Sequence, residues 1–113
     1  MEKTDEEYNY EYEQIDTMFP NAQFTIAIDI DDMDKLITTK NELIIKSKYN
    51  CYCYTNCKKN TDYFYIQGEN ITQRYVIEQL IKQGLELDCN HQFLEGFYKT
   101  VGSDCQFELW VGS

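Results

Sequence analysis

The sequence is poor in the residues that interrupt regular structure and in those that bind phosphate backbones. Pro20 is the single proline among 113 residues, so most of the chain is free to form helices and strands. Lys and Arg number 10 against 20 Asp and Glu, and the resulting net charge of −10 disfavours indiscriminate nucleic-acid binding. No apolar run approaches the roughly 20 residues of a membrane-spanning helix. Acidic residues follow Met1 in place of a secretory signal. We therefore expect a cytoplasmic chain that is not secreted and has no membrane partner.

The cysteines do not form the even set that a disulfide framework requires. There are 5 of them, which indicates free thiols in a reducing compartment. Two short patterns, C-x-C-x₃-C and C-x-H, could together supply thiolate and imidazole ligands for Zn²⁺ if their segments converge. The competing interpretation is a set of buried thiols that act as small hydrophobic residues. The candidate ligands are Cys51, Cys53, Cys57, Cys89 and His91.

The strongest local pattern is an amphipathic helix near residues 71–83. Its predicted N-cap is Asn70, with Gln73 completing a capping box, and Gly84 occupies the position of a left-handed C-cap. Residues of alternating charge line the polar side of this helix, and they form no candidate functional site. The apolar side is formed by Val76, Ile77, Leu80 and Ile81.

Alternating apolar and polar residues predict strands on both sides of this helix. The segments are 24–30, 42–48, 62–67, 92–100 and 106–111. The expected fold class is α+β, an antiparallel sheet of about four or five strands with one main amphipathic helix packed on one face. Residues 1–18 are expected to be an acidic, tyrosine-rich arm or a short helix, and residues 19–113 a single α+β domain.

Three stretches of the C-terminal part resemble uncharacterised small proteins of mimivirus-like giant DNA viruses. They are the helix (ITQ at 71–73 and IEQLIKQG at 77–84), the phrase CNHQFLEGF at 89–97, and QFEL at 106–109 with the terminal GS. The resemblance implies a viral origin and a setting in the host cytoplasm. It implies no activity and assigns no role to any individual residue.

One segment superficially matches a catalytic motif. Residues 25–32 (TIAIDIDD) are similar to the strand end of haloacid-dehalogenase-type phosphatases, in which one aspartate is the nucleophile and the next but one is the acid and base. Met33 stands where that motif has Thr or Val, and no parallel α/β repeat follows. A strand that ends in a solvated acidic turn is the simpler interpretation, so we expect no enzymatic activity.

Exposed aromatic residues are the remaining candidates. Trp110 falls on the strand side opposite Phe107 and Leu109, so it is either an interface anchor or core. Tyr52 and Tyr54 alternate near lysines on a predicted hairpin. Tyr8 and Tyr12 lie in the acidic arm.

The lack of a catalytic set, together with Trp110 and the acidic arm, leads to one main hypothesis, and the hairpin leads to two alternatives. The main hypothesis is a non-enzymatic protein-interaction module that binds a protein partner or forms a homodimer. The alternatives are a zinc-binding domain and a single-stranded nucleic-acid-binding domain. Both would use the hairpin at 51–59, and the second is disfavoured by the acidic charge.

Overall fold

A computed structural model describes residues 13–47, 61–87 and 93–112, and the fold in these segments is α+β. None of the helices in these segments is long and apolar enough to cross a membrane. The elements are a helix over 13–18 (α1), Thr25–Ile26 (β1), a 3-10 turn at Ile30–Asp32, Glu42–Ser47 (β2), Asp62–Gln67 (β3), Gln73–Lys82 (α2), Phe93–Lys99 (β4) and Gln106–Gly112 (β5).

The five strands form one mixed sheet in the order β1-β4-β5-β2-β3. Strands β2 and β3 pair antiparallel, as do β4 and β5, whereas β2 with β5 and β1 with β4 pair parallel. The expectation of an antiparallel sheet is therefore wrong. Alternation predicts which side of a strand is buried, but it carries no information on the direction of the neighbouring strand. Here α2 carries the chain from β3 across to β4, which brings β5 beside β2 in the same direction.

Helix α2 covers one face of this sheet, as the sequence predicted. Val76 and Leu80 of the helix are fully buried against alternate residues of the strands. The strand side of this cluster consists of Leu43, Ile45, Phe64, Ile66 and Phe107. A second cluster, in which Ile77 and Leu94 meet Ile15 of α1 and Met33, extends the same core toward β1.

The two ends of α2 differ in how well the sequence predicted them. The N-cap is Thr72, whose side chain accepts a bond of 3.1 Å from the backbone N–H of Tyr75, so the prediction of Asn70 is wrong. Asn70 instead has a positive φ of 51°, which belongs to the turn before the helix. The C-cap prediction is confirmed, because Gly84 has a φ of +82° and its N–H donates to the carbonyl of Ile81.

Strand β1 is much shorter than the segment 24–30 predicted from alternation. Only Thr25 and Ile26 pair with β4, and the chain then turns into a 3-10 turn at Ile30–Asp32. Ile28 is still buried at 4% exposure, so its apolar side chain reflects core packing without strand pairing. Alternation alone does not separate these two situations.

Replacement of Leu80 by alanine tests the helix-to-sheet packing. We expect Leu80→Ala to lower the free energy of unfolding by about 2–5 kcal/mol, because it leaves a cavity between α2 and the strands. The measurement is urea denaturation followed by far-UV circular dichroism. Val101→Ala is the matched control, since Val101 is 100% exposed and its truncation should change the free energy by less than about 0.5 kcal/mol.

Candidate protein-interaction surface

The face of the sheet opposite α2 is the candidate site, and we call it the open face. Residues directly opposite one another in neighbouring strands share a face, so the register identifies its members. Ile44 of β2 is paired with Tyr65 of β3 and with Gln106 of β5, and Tyr98 of β4 is paired with Glu108. The open face consists of Thr25, Glu42, Ile44, Lys46, Tyr63, Tyr65, Gln67, Phe93, Glu95, Tyr98, Gln106, Glu108 and Trp110.

Large aromatic side chains on the open face are exposed to solvent. Trp110 is 60% exposed, Tyr63 61%, Tyr65 51% and Tyr98 48%, whereas Phe107 on the helix side of the same sheet is buried. Single exposed aromatic residues are ordinary, but several on one face form a patch of the kind that marks an interaction site. Trp110 was a candidate from the sequence, whereas the three tyrosines were not predicted. The signal was present in β3, where Tyr63 and Tyr65 alternate with Phe64 and Ile66.

Trp110 is held against the sheet by a glycine on the neighbouring strand. Gly96 lies opposite Trp110, and a Cβ atom placed on Gly96 would be 3.9 Å from Cε3 of the indole. One edge of the ring therefore approaches Gly96 at ordinary van der Waals distance, and most of the side chain is open to solvent.

Glu95 lies beside this tryptophan because of an irregularity in β4. Leu94 pairs with Val111 and Gly96 with Trp110, so Glu95 is the additional residue of a β-bulge. Its carboxylate lies over Gly112, where an added Cβ atom would approach Oε2 to 2.9 Å. The glycine at 112 thus leaves room for the Glu95 carboxylate, whereas a Cβ atom at 96 would be in ordinary contact with the indole.

The charged groups of the open face are mainly acidic. Glu42, Glu95 and Glu108 face a single lysine, Lys46. Thr100 Oγ1 donates a hydrogen bond of 3.2 Å to Glu108. The surface therefore combines aromatic rings with a negative field, which favours cationic groups and disfavours phosphates.

The edge strand β3 presents backbone groups as well as side chains. The N–H of Gly68 donates to the carbonyl of Asn41 at 2.9 Å, just beyond the ladder of β2 and β3. Bonded and non-bonded pairs alternate along an antiparallel ladder. The N–H and C=O groups of Tyr63, Tyr65 and Gln67 must therefore point away from β2, toward the outer edge.

Side chains from α2 and the residue after it occupy part of this edge. Nε2 of Gln83 donates to the carbonyl of Tyr65 at 3.0 Å, and the hydroxyl of Tyr75 donates to the carbonyl of Gln67. Two of the three outward carbonyls are thus already bonded. An edge protected in this way is a poor template for addition of a further strand.

The acidic segment at 29–34 has a structural role in the fold. The N–H of Arg74 donates to the carbonyl of Met33 at 2.9 Å, and the guanidinium group pairs with Asp34 at 3.3 Å. Met33 is completely buried. These contacts fix the acidic segment at the N-terminus of α2, where the helix dipole favours negative charge. Arg74 therefore pairs across the fold, outside the charge ladder predicted along α2.

Most of the other candidates from the sequence fall outside the described segments. Within those segments there is no group of three or more His, Cys, Asp or Glu side chains that could hold a metal ion. Cys105, which directly precedes β5, is a half-buried free thiol. The candidates outside the described residues are Cys51, Cys53, Cys57, Cys89, His91, Tyr8, Tyr12, Tyr52 and Tyr54.

Among the cavities lined by described residues, two lie away from the open face. One of about 200 Å³ separates the end of α1 from Glu78 and Lys82 of α2. The other, of about 450 Å³, lies between the loop at 36–39 and the residues Lys99 and Asp104.

Comparison with known proteins gives no match to this chain. No protein-family model fits the sequence, and neither a curated protein nor a solved structure is similar to it. A functional assignment therefore depends on the geometry of the open face.

The contact between Tyr65 and Glu42 provides a test of how the open face is organised. Tyr65 donates its hydroxyl proton to Glu42, which raises the pKa of the phenol above its ordinary 10.0, although Gln67 Nε2, at 3.0 Å, acts in the opposite direction. Glu42→Gln removes the negative charge and keeps the shape. We expect the pKa of Tyr65 to fall toward its ordinary value, as measured by NMR titration of its ring carbons. An unchanged pKa would contradict the contact.

Proposed function

We propose that this protein is a non-enzymatic interaction module that binds a positively charged protein partner through the open face. The observation that carries the proposal is the group of half-exposed aromatic rings, Tyr63, Tyr65, Tyr98 and Trp110, on one side of the sheet. Trp and Tyr are the side chains that dominate binding energy at protein interfaces, because each buries a large area with few rotatable bonds.

The face of the sheet is better suited to binding than its edge. Gln83 and Tyr75 bond two outward carbonyls of β3, so an added strand would have to displace them. On the open face, Trp110 adjoins Gly96 across the ladder, and a tryptophan side chain has only about two torsion angles to fix on binding. Anchors that are placed before binding reduce the entropic cost of association.

The partner is expected to differ from the chain itself. Two copies, each with a net charge of −10, repel one another, whereas a basic partner is attracted. The strands are six or seven residues long, except β1 with two. At about 4.8 Å between strands the open face covers roughly 440 Å². A short basic segment of another protein fits this area, and the carboxylates disfavour nucleic acid.

Selection of peptides from a random display library on the immobilised full chain tests this function. We expect enriched peptides to be basic and to bind the wild-type chain through the open face. Trp110→Ala should weaken their binding by at least about tenfold, since central aromatic anchors carry much of the affinity. Dissociation constants of the synthesised peptides are measured by isothermal titration calorimetry.

Val101→Ala serves as the control, because it removes an exposed apolar side chain from the turn between β4 and β5. Binding to this variant should stay within about twofold of wild type. The proposal is contradicted if the selection enriches no peptide, or if Trp110→Ala and Val101→Ala bind the enriched peptides equally well. If the chain dimerises in a concentration-dependent way and Trp110→Ala abolishes the dimer, the open face binds a second copy of the chain and the proposal of a different partner is wrong.

A further inference from the structure

We propose that Trp110 and Glu95 form a subsite for one arginine or lysine side chain of the partner. The proposal rests on the proposed function and adds the chemistry of one contact within the open face. It assigns the indole as the surface on which the cation stacks and the Glu95 carboxylate as its counter-charge. Cations stack preferentially on tryptophan among the aromatic side chains.

The backbone places these two groups next to each other. Gly96 is the cross-strand neighbour of Trp110, and Gly112 follows two residues after Trp110 on the same side of β5. An edge of the indole adjoins Gly96, and the Glu95 carboxylate lies over Gly112. The bulge at Glu95 is what puts this side chain and Gly96 on the same face in succession. A Cβ atom at 112 would come within 2.9 Å of the Glu95 carboxylate, whereas a Cβ atom at 96 would be in ordinary contact with the indole at 3.9 Å.

The charge of Glu95 is available for a partner. Within the described segments, the lysines and the arginine that form ion pairs do so with Asp32, Asp34 and Asp104, and none pairs with Glu95. Trp110 is 60% exposed, so one side of its ring is open. A cation between the two groups would gain attraction from the ring and from the carboxylate, and it would enter an acidic surface.

A purely structural role makes a different prediction for the same residues. An aromatic ring that covers a glycine on the next strand stabilises the pair, and this accounts for the side of Trp110 that faces Gly96. It does not use the exposed side of the ring, and it gives Glu95 no function. Loss of the Glu95 charge would then leave cation binding unchanged.

The test is an NMR titration of the ¹⁵N-labelled full chain with acetylated, amidated tetra-arginine. The chain has 1 tryptophan, so its indole N–H signal reports on Trp110 without ambiguity. The neutral comparison peptide is tetra-citrulline, which keeps the planar end group and lacks the charge. In about 150 mM salt, where charges further apart than about 8 Å are screened, we expect tetra-arginine to shift the Trp110 indole and Gly96 amide signals. Tetra-citrulline should shift neither.

Two charge-removing variants separate the subsite from general attraction to an acidic chain. Glu95→Gln should weaken tetra-arginine binding about fivefold, because it removes the counter-charge beside the ring. Glu78→Gln removes the same charge from the exposed side of α2, beyond the other face of the sheet, and should change binding by less than about 1.5-fold. Equal weakening in the two variants, or equal shifts with both peptides, overturns the proposal.

Failure of the subsite and failure of the proposed function give different results. If Glu95→Gln has no effect on tetra-arginine, while library-selected peptides still require Trp110, the cation subsite is wrong and the docking surface stands. If neither tetra-arginine nor the selected peptides depend on Trp110, both proposals are wrong. Because Glu95 is exposed, Glu95→Gln should unfold at the same urea concentration as the wild type, so a folding defect would not imitate either result.

Discussion

Burial of one sheet face by α2 is the contact on which the rest of the structure depends. Val76 and Leu80 of the helix pack on alternate residues of β2 and β3. The residues between these alternate positions therefore place their side chains on the opposite face of the sheet. Since the described segments provide a single long helix, they supply no second layer for that opposite face. The open face is thus a direct consequence of covering the sheet on one side.

An uncovered sheet that carries aromatic rings carries a risk of non-specific association, and two features of the chain counteract it. The net charge of −10 keeps copies apart at a distance. At short range, the side chains of Gln83 and Tyr75 donate hydrogen bonds to outward carbonyls of β3, to which an added strand would otherwise bond. The same acidic field would attract the basic partner that we propose. In that proposal, separation of the copies and attraction of the partner have one electrostatic origin.

The sequence predicted those features that depend on local periodicity. The bounds of β3 agree with alternation, and the burial of Val76, Ile77 and Leu80 agrees with the helical spacing. The left-handed residue that ends the helix was correctly predicted at Gly84, because few residue types other than glycine adopt this backbone conformation. Choice of the N-cap failed, since Asn70 and Thr72 are both good capping residues and the tertiary contacts of the preceding turn decide between them.

Features that depend on which strands meet were beyond the reach of the sequence. Nothing in β2 or β5 indicates that they run parallel, because both show the alternation of a half-exposed strand. Proximity of Glu95 to Trp110 requires the register of β4 and β5 and the bulge between them. The sequence shows a glycine at position 96, but it does not show that Trp110 is its partner across the ladder. The zinc hypothesis, by contrast, concerns residues outside the described segments and stays a prediction.

The central claim is that the aromatic residues of the open face serve binding and are not needed for folding. Its most direct test is the free energy of unfolding of a triple variant, Tyr63→Thr, Tyr65→Thr and Trp110→Thr, which keeps side chains that favour strands. Because cross-strand contacts of exposed side chains contribute about 0.2–1 kcal/mol each, the three substitutions together should cost less than about 3 kcal/mol. A loss above about 4 kcal/mol, comparable with removal of a core side chain, would show that these rings belong to the core and would contradict the account.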